Sequence, residues 1–142
     1  MDVSEDAIAE NTIINDSGFL SVNYYGSANH TTVNPQGVMH IYDSGFADDV
    51  VLYGYMMVFD GLASNVMVNK SGSLKVDWCG MVDLVTVNDG VLSVSSMGWA
   101  YRTTIDSGGL LIVDSDGTVA SATVNSGCLE VYSGGTATNV IA

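Results

Sequence analysis

The side chains on this chain that could do chemistry are few. Asp60, Asp77, Asp114 and Asp116 fall just after the last apolar position of a recurring strand motif, where stacked segments could bring carboxylates together. Two carboxylates facing each other across a sugar are what glycoside hydrolysis requires. Lyase chemistry adds a base and a cation that holds developing charge. The permanent cations are only Lys70, Lys75 and Arg102, which make a poor basis for a preorganised clamp. His30 and His40 stand ten residues apart, without metal-ligand spacing. Asp114-Ser-Asp116 is acidic but lacks the Gly-Gly-x-Gly-x-Asp calcium nonapeptide. No phosphate-binding loop, zinc motif or nucleophile elbow is present. The expectation is no catalytic residue, no metal and no cofactor.

Cys79 and Cys128 raise the question of a disulfide. The repeat described below places them three coils apart, about 14 Å along the axis at roughly 4.8 Å per coil. A disulfide needs Cα atoms within about 7 Å. Both are read as free thiols, so the cysteines say little about compartment.

The elements that would position these groups come from a repeat of about nineteen residues. Gly-x-Leu-x-Val recurs as Gly18-x-Leu20-x-Val22, Gly37-x-Met39-x-Ile41, Gly54-x-Met56-x-Val58, Gly72-x-Leu74-x-Val76, Gly90-x-Leu92-x-Val94, Gly109-x-Leu111-x-Val113 and Gly127-x-Leu129-x-Val131. A second glycine follows each copy, and two residues later comes a small apolar side chain. From Ala9 these small residues are spaced 19, 19, 16, 19, 18, 19 and 18 apart. Such a period marks a solenoid, which offers long surfaces more readily than deep pockets. Alternation within the repeat is the mark of strands buried on one face.

These patterns predict an all-β fold, a parallel β-helix of about seven coils of 16–19 residues. Residues 1–8 are expected to cap it, and residues 9–142 to form the helix, ending within an eighth coil. Asn15, Asn34, Asn69, Asn88, Asp106 and Asn125 form a regular polar column, predicted to be a hydrogen-bonded ladder at a corner. The third repeat is three residues short and puts Tyr53 at the ladder position against Gly54. That predicts a dent or a tightened turn.

Composition bounds the partners. Sixteen acidic residues against three basic ones give a net charge of −13. Such a surface is unsuited to nucleic acid, whose binding rests on Lys and Arg, and to anionic membranes. No apolar run of eighteen residues occurs, so direct membrane insertion is not expected. The N-terminal MDVSEDAIAE has no basic n-region or apolar h-region of a signal peptide.

The most regular stretch is Thr123-Val-Asn-Ser-Gly-Cys-Leu-Glu-Val-Tyr-Ser-Gly-Gly-Thr-Ala-Thr-Asn139. It resembles the AIDA-type repeat of Gram-negative autotransporter adhesin passenger domains, whose consensus runs roughly T-V-N-S-G-G-x-L-x-V-x-S-G-G-T-A. Gly26-Ser-Ala28, Thr32-Val-Asn34, Asp43-Ser-Gly-Phe-Ala47 and Thr104-Ile-Asp-Ser-Gly-Gly109 are weaker copies. The resemblance runs from about residue 9 onward. It implies a right-handed β-helix at the bacterial cell surface or outside the cell, adhesive or self-aggregating, in some members carrying heptose on serine. By that resemblance Ser17, Ser44, Ser71, Ser107, Ser126 and Ser133 are the candidate acceptors. Neither the family's secretion signal nor its translocator barrel is present in this sequence.

Surface carries the remaining expectation. Outward positions of the Gly-x-Leu-x-Val strand supply Phe19, Val38, Tyr42, Tyr55, Met57 and Phe59, an apolar stripe over three neighbouring repeats. Exposed apolar patches of this kind mark interaction sites. The functional expectation is therefore a non-catalytic, surface-exposed module in bacterial adhesion or self-association. Its partner would be itself, laterally or end to end, or a ligand on a host or bacterial surface. The alternatives are a passive stalk or O-glycosylation acceptor scaffold, and a carbohydrate-active β-helix enzyme.

Overall fold

A computed structural model describes residues 1–142, and every regular element in it is a strand. The first sheet has eight parallel strands in chain order: Asp2–Val3, Phe19–Val22, Val38–Tyr42, Tyr55–Phe59, Ser73–Asp77, Val91–Val94, Leu110–Val113 and Cys128–Val131. The second sheet stacks Ile8–Glu10, Ser27–Val33, Phe46–Leu52, Leu62–Val68, Met81–Asn88, Trp99–Asp106, Thr118–Val124 and Thr136–Thr138, with Ile13–Ile14 also paired to Ser27–Val33. The chain alternates between the sheets, one strand to each, which makes a β-solenoid of eight turns. Pairing is in register, so Leu20, Met39, Met56, Leu74, Leu92, Leu111 and Leu129 form one inward ladder. Thirty buried apolar residues join in a single core running the length of the stack.

Asp2 pairs with Ser21 and Val3 with Val22, so Asp2–Val3 is the end strand of the first sheet, on the edge that residues 1–8 are expected to cap. Val3 is buried as a core residue. It supplies the apolar position of the repeat without the preceding Gly-x-Leu, and for that reason the periodic pattern misses it. This rung raises the count from about seven coils to eight.

The strands of the second sheet contain a bend that explains a parity problem in the repeat. Ala28, Thr31 and Val33 all point inward, although the first two are three positions apart. Strict alternation would put them on opposite faces. His30 sits between them at φ 53°, in the left-handed region, and turns the chain so that alternation restarts. The same position holds Asn11, Asp49, Asn65, Leu84, Arg102, Ser121 and Asn139, all with positive φ.

Corners are tight turns of two kinds. In Asn23–Gly26, Tyr24 and Tyr25 both have positive φ and Gly26 N–H donates to Asn23 O at 2.7 Å, a type I′ arrangement. In Asn34–Gly37, Pro35 precedes Gln36 at φ 63°, and Gly37 N–H donates to Asn34 O at 2.9 Å, as in a type II turn. The repeat glycines serve a different need. A Cβ built on Gly98 would lie 2.6 Å from the Val76 carbonyl oxygen of the preceding turn and 2.9 Å from Ser95 O. Glycine stands there because two backbones meet, not because φ is positive.

The turn between residues 53 and 68 is contracted at both corners. Tyr53–Gly54 replaces the four-residue Asn34–Gly37 turn, and Phe59-Asp60-Gly61 is one residue shorter than Tyr42–Gly45. The strands keep full length and register, so the loss opens the surface instead of disturbing the core. The dent expected from sequence is present as two grooves of about 330 Å³ each, one at either corner. The polar ladder is hydrogen-bonded only at its two ends. Asn34 Nδ2 donates to Asn15 Oδ1 at 3.0 Å, and Asn125 Nδ2 to Asp106 Oδ1 at 2.7 Å. Between them Tyr53 interrupts the column, and Asn69 Nδ2 is buried without a partner.

Two substitutions test this architecture. Gly98→Ala forces a methyl against the Val76 carbonyl and is expected to destabilise by about 1–3 kcal/mol, the usual penalty of overpacking. Leu84→Asn puts a residue that tolerates the left-handed region at φ 53° and is expected to stabilise by about 1 kcal/mol. Urea unfolding followed by circular dichroism reads both, and opposite signs are expected.

Candidate functional site

The predicted stripe lies on the outer face of the first sheet. Register sets Phe19, Val38 and Tyr55 in one column and Tyr42 and Phe59 in another, with Met57 between them beside His40. Phe19 is exposed, and the other five are half-buried. His40 is wedged into the stripe, edge-on to Phe19 at 5.0 Å between ring centroids and to Tyr55 at 6.2 Å. Burial among these rings holds its imidazole below the usual histidine value, so it is neutral at pH 7.

The stripe is bounded by polar groups that tie it down. Ser21 and Asn23 also point outward, yet both are buried. Asn23 Nδ2 donates to Asp2 Oδ1, Ser21 Oγ and the Tyr42 hydroxyl, each at 3.0 Å. The outward tally of the repeat could not reveal this, because the covering Asp2 belongs to the rung the repeat misses. On the far side Lys75 Nζ lies 3.0 Å from Asp77 Oδ2. Partial burial pushes the Asp77 carboxyl up, but Lys75, Ser96 and the Trp78 N–H outweigh it and hold it below its ordinary value. Its hydrogen bond to Asp77 raises the Lys75 ammonium correspondingly.

A second apolar column went unread in the sequence. Phe46, Leu62, Met81 and Trp99 stack in register on the outer face of the second sheet. Leu62, Met81 and Trp99 are exposed, and Trp99 stacks on Tyr101 with centroids 5.8 Å apart and planes 15° from parallel. Trp78, Tyr24 and Tyr25 stand exposed on the adjoining corners, with Trp78 against Phe59 at 6.0 Å. The signal was available: the residue between each second glycine and its small residue runs Ser27, Phe46, Leu62, Met81, Trp99, Thr118, Thr136. One groove of the contracted turn opens along this column, lined by Tyr25, Phe46, Leu62 and Met81 with Asp60 and Cys79. The other lies between the first-sheet stripe and the opposite corner, lined by Tyr53, Tyr55, Pro35, Gln36, Ser71 and Ser73.

The remaining candidates are dispersed. Asp114 caps its own turn through the Ser115 N–H at 2.8 Å, while Asp77 is engaged with Lys75 two rungs away, with Ser95 between them in the column. His30 lies on the second sheet between Glu10 Oε2 at 3.4 Å and Asp49 Oδ2 at 3.5 Å, on a different face from His40. Arg102 is paired with Asp83 of the preceding turn. Cys79 and Cys128 are free and exposed, on a corner and in the last strand of the first sheet respectively. All six Ser-Gly serines are exposed. Ser17, Ser71, Ser107 and Ser126 share the corner that follows the second sheet, whereas Ser44 and Ser133 lie on the corner that follows the first. No helix of the structure is long and apolar enough to cross a membrane.

No protein-family profile matches the chain, and no curated protein does. Among solved structures it is similar to a hyper-glycosylated fragment of TibA whose glycosylation is catalysed by TibC. The two are 27% identical with a TM-score of 0.60, over 99% of this chain and 66% of that one. The chain thus spans just under two thirds of the fragment it matches, and it is similar to that glycosylated protein along essentially its whole length.

Proposed function

We propose that this chain is a non-catalytic β-helical module of the bacterial surface that acts in adhesion or self-association. The observation that carries this reading is the pair of apolar, aromatic columns on the outer faces of both sheets. Side chains such as Trp99, Leu62 and Phe19 remain open to solvent although the core beneath them is already complete. Apolar surface kept outside a finished core favours contact with something else. The corners are two to four residues long, so no loop walls a cleft in which chemistry could be sheltered. Similarity to the TibA fragment supports an autotransporter-passenger relationship of the AIDA type and a location outside the cell.

The proposed mechanism is lateral contact through the first-sheet stripe, opposed at long range by the −13 charge. Light scattering and sedimentation over a wide concentration range should show association that strengthens with salt, as screening removes the repulsion. Phe19→Ser combined with Phe59→Ser should weaken it about tenfold, the size expected when central aromatic contacts are lost. A strict monomer at high concentration and high salt sinks this reading.

A second reading has its own observation. Six exposed serines sit on turn corners, and the similar TibA fragment is hyper-glycosylated. An acceptor scaffold for O-linked sugar predicts a mass increase on protein taken from its native host. It further predicts that peptide mapping places the sugar on Ser17, Ser44, Ser71, Ser107, Ser126 or Ser133. An unmodified mass there removes it.

A further inference from the structure

We infer that the groove at the Tyr53–Gly54 corner is a binding subsite for one neutral pyranose ring. The inference rests on the adhesive reading above and names the chemical class of its ligand.

Contraction of the turn is what creates the site. Dropping two residues where the flanking turns carry Asn34–Gly37 and Asn69–Gly72 leaves those corners standing proud of Gly54. A Cβ at Gly54 would run into the carbonyl oxygens of Asn34 and Gly37, so the backbone is drawn in against the preceding turn. The space vacated is about 330 Å³. That is at the lower end of the roughly 300–1,000 Å³ of small-molecule sites.

The chemistry of the lining selects the ligand. Tyr53 and Tyr55 flank Gly54 and both line the groove, with Pro35 on its wall. Amphipathic tyrosine rings offer an apolar face to C–H groups and a hydroxyl to polar ones. Gln36, Ser71 and Ser73 add polar side chains beside the apolar Val38, and the five polar side chains of the lining make no hydrogen bond to one another or to other side chains. Together they present both donors and acceptors. No charged side chain lines the groove, although the chain carries 16 acidic residues. A ring with one apolar face and a periphery of hydroxyls matches this surface. An anionic sugar does not, since nothing in the lining would neutralise it. The groove at the opposite corner is the weaker candidate for a neutral sugar, because its lining includes the charged Asp60.

The test uses unmodified recombinant chain and ligand-observed saturation-transfer NMR. Probes are the methyl glycosides of glucose, galactose, mannose and N-acetylglucosamine, with N-acetylneuraminic acid as the anionic comparison. At least one neutral glycoside should bind with millimolar affinity. Tyr53→Ala should weaken it up to about tenfold, the most a single aromatic contact of this kind contributes. Gln36→Ala, on the solvent side of its turn, keeps the test valid if Tyr53→Ala fails to fold, and should also weaken binding. Tyr25→Ala, in the opposite groove, should leave it unchanged. A receptor glycan and a sugar carried by a neighbouring copy share this chemistry. Titration with protein from the native host, before and after deglycosylation, separates the two sources.

Binding of none of the neutral probes overturns the inference, as does binding sensitive to Tyr25→Ala and not to Tyr53→Ala or Gln36→Ala. Self-association is read without sugar and through Phe19 and Phe59, which do not line this groove. Its loss therefore bears on the adhesive reading, and loss of sugar binding alone bears only on the subsite.

Discussion

The structure depends on how closely the backbone of one turn can sit on the next at the corners. There the carbonyl of the preceding turn presses on a Cα, as Val76 O does at Gly98, and any side chain would hold the two turns apart. Once the corners are in contact, the strands have no choice of register. Each inward residue falls on its counterpart, and the core becomes a set of ladders. The glycines are therefore committed to contact and not to conformation. The left-handed positions face solvent instead, and are filled by Asp, Ser, Asn, Tyr and even Trp78 at φ 41°. Only Gly108 and Gly134 combine glycine with positive φ.

The same constraint decides where a repeat can lose residues. A deletion within a strand would shift the ladder and turn every later side chain to the wrong face. Removing residues from the corners changes only how far the chain swings out before it returns. The contracted turn follows this rule: Tyr55–Phe59 and Leu62–Val68 pair along their full lengths on both sides. Variation in such a fold is thus driven to the surface. There it appears as notches beside unshortened neighbours, and local concavity arises on a solenoid without any long loop.

Much of this was legible in the residues. The Gly-x-Leu-x-Val anchors, the small-residue column and the 16-residue interval specified the fold, the inward ladders and the place of the notches. Legibility failed where one residue carried too little pattern or where two distant segments met. Val3 alone marks the first rung, and a single apolar residue carries no period. The spacing from Ala28 to Thr31 was visible, but its cause at His30 was not, since a left-handed bend can be built from Asn, Asp, His, Leu, Arg or Ser. Phe46, Leu62, Met81 and Trp99 stand at a fixed offset but vary in type, so no residue motif marks their column. The Asn column is hydrogen-bonded only at its two ends: Tyr53 interrupts it once, and Asn88 and Asp106 stand in register without a bond between them. The burial of Asn23 could not be read at all, since it depends on Asp2 and Tyr42 reaching it from the turns before and after.

Charge and apolar surface are distributed so that they oppose each other only at long range. Carboxylates sit on the corners, at Asp43, Asp60, Asp89 and Asp116, and on the second sheet at Asp49 in the left-handed column, with Glu10 and Asp48 one position before it. The stripe of the first sheet holds none between Phe19 and Phe59. Two copies approaching each other feel the net charge once they come within about 8 Å, the screening length at physiological salt, and apolar attraction only on contact. On the proposed reading the sum is a barrier that ionic strength controls, with contact favourable behind it. A neutral ligand meets no such barrier, and its access to an uncharged groove does not depend on salt. One acidic solenoid can in this way hold two kinds of surface, one gated by its own charge and the other indifferent to it.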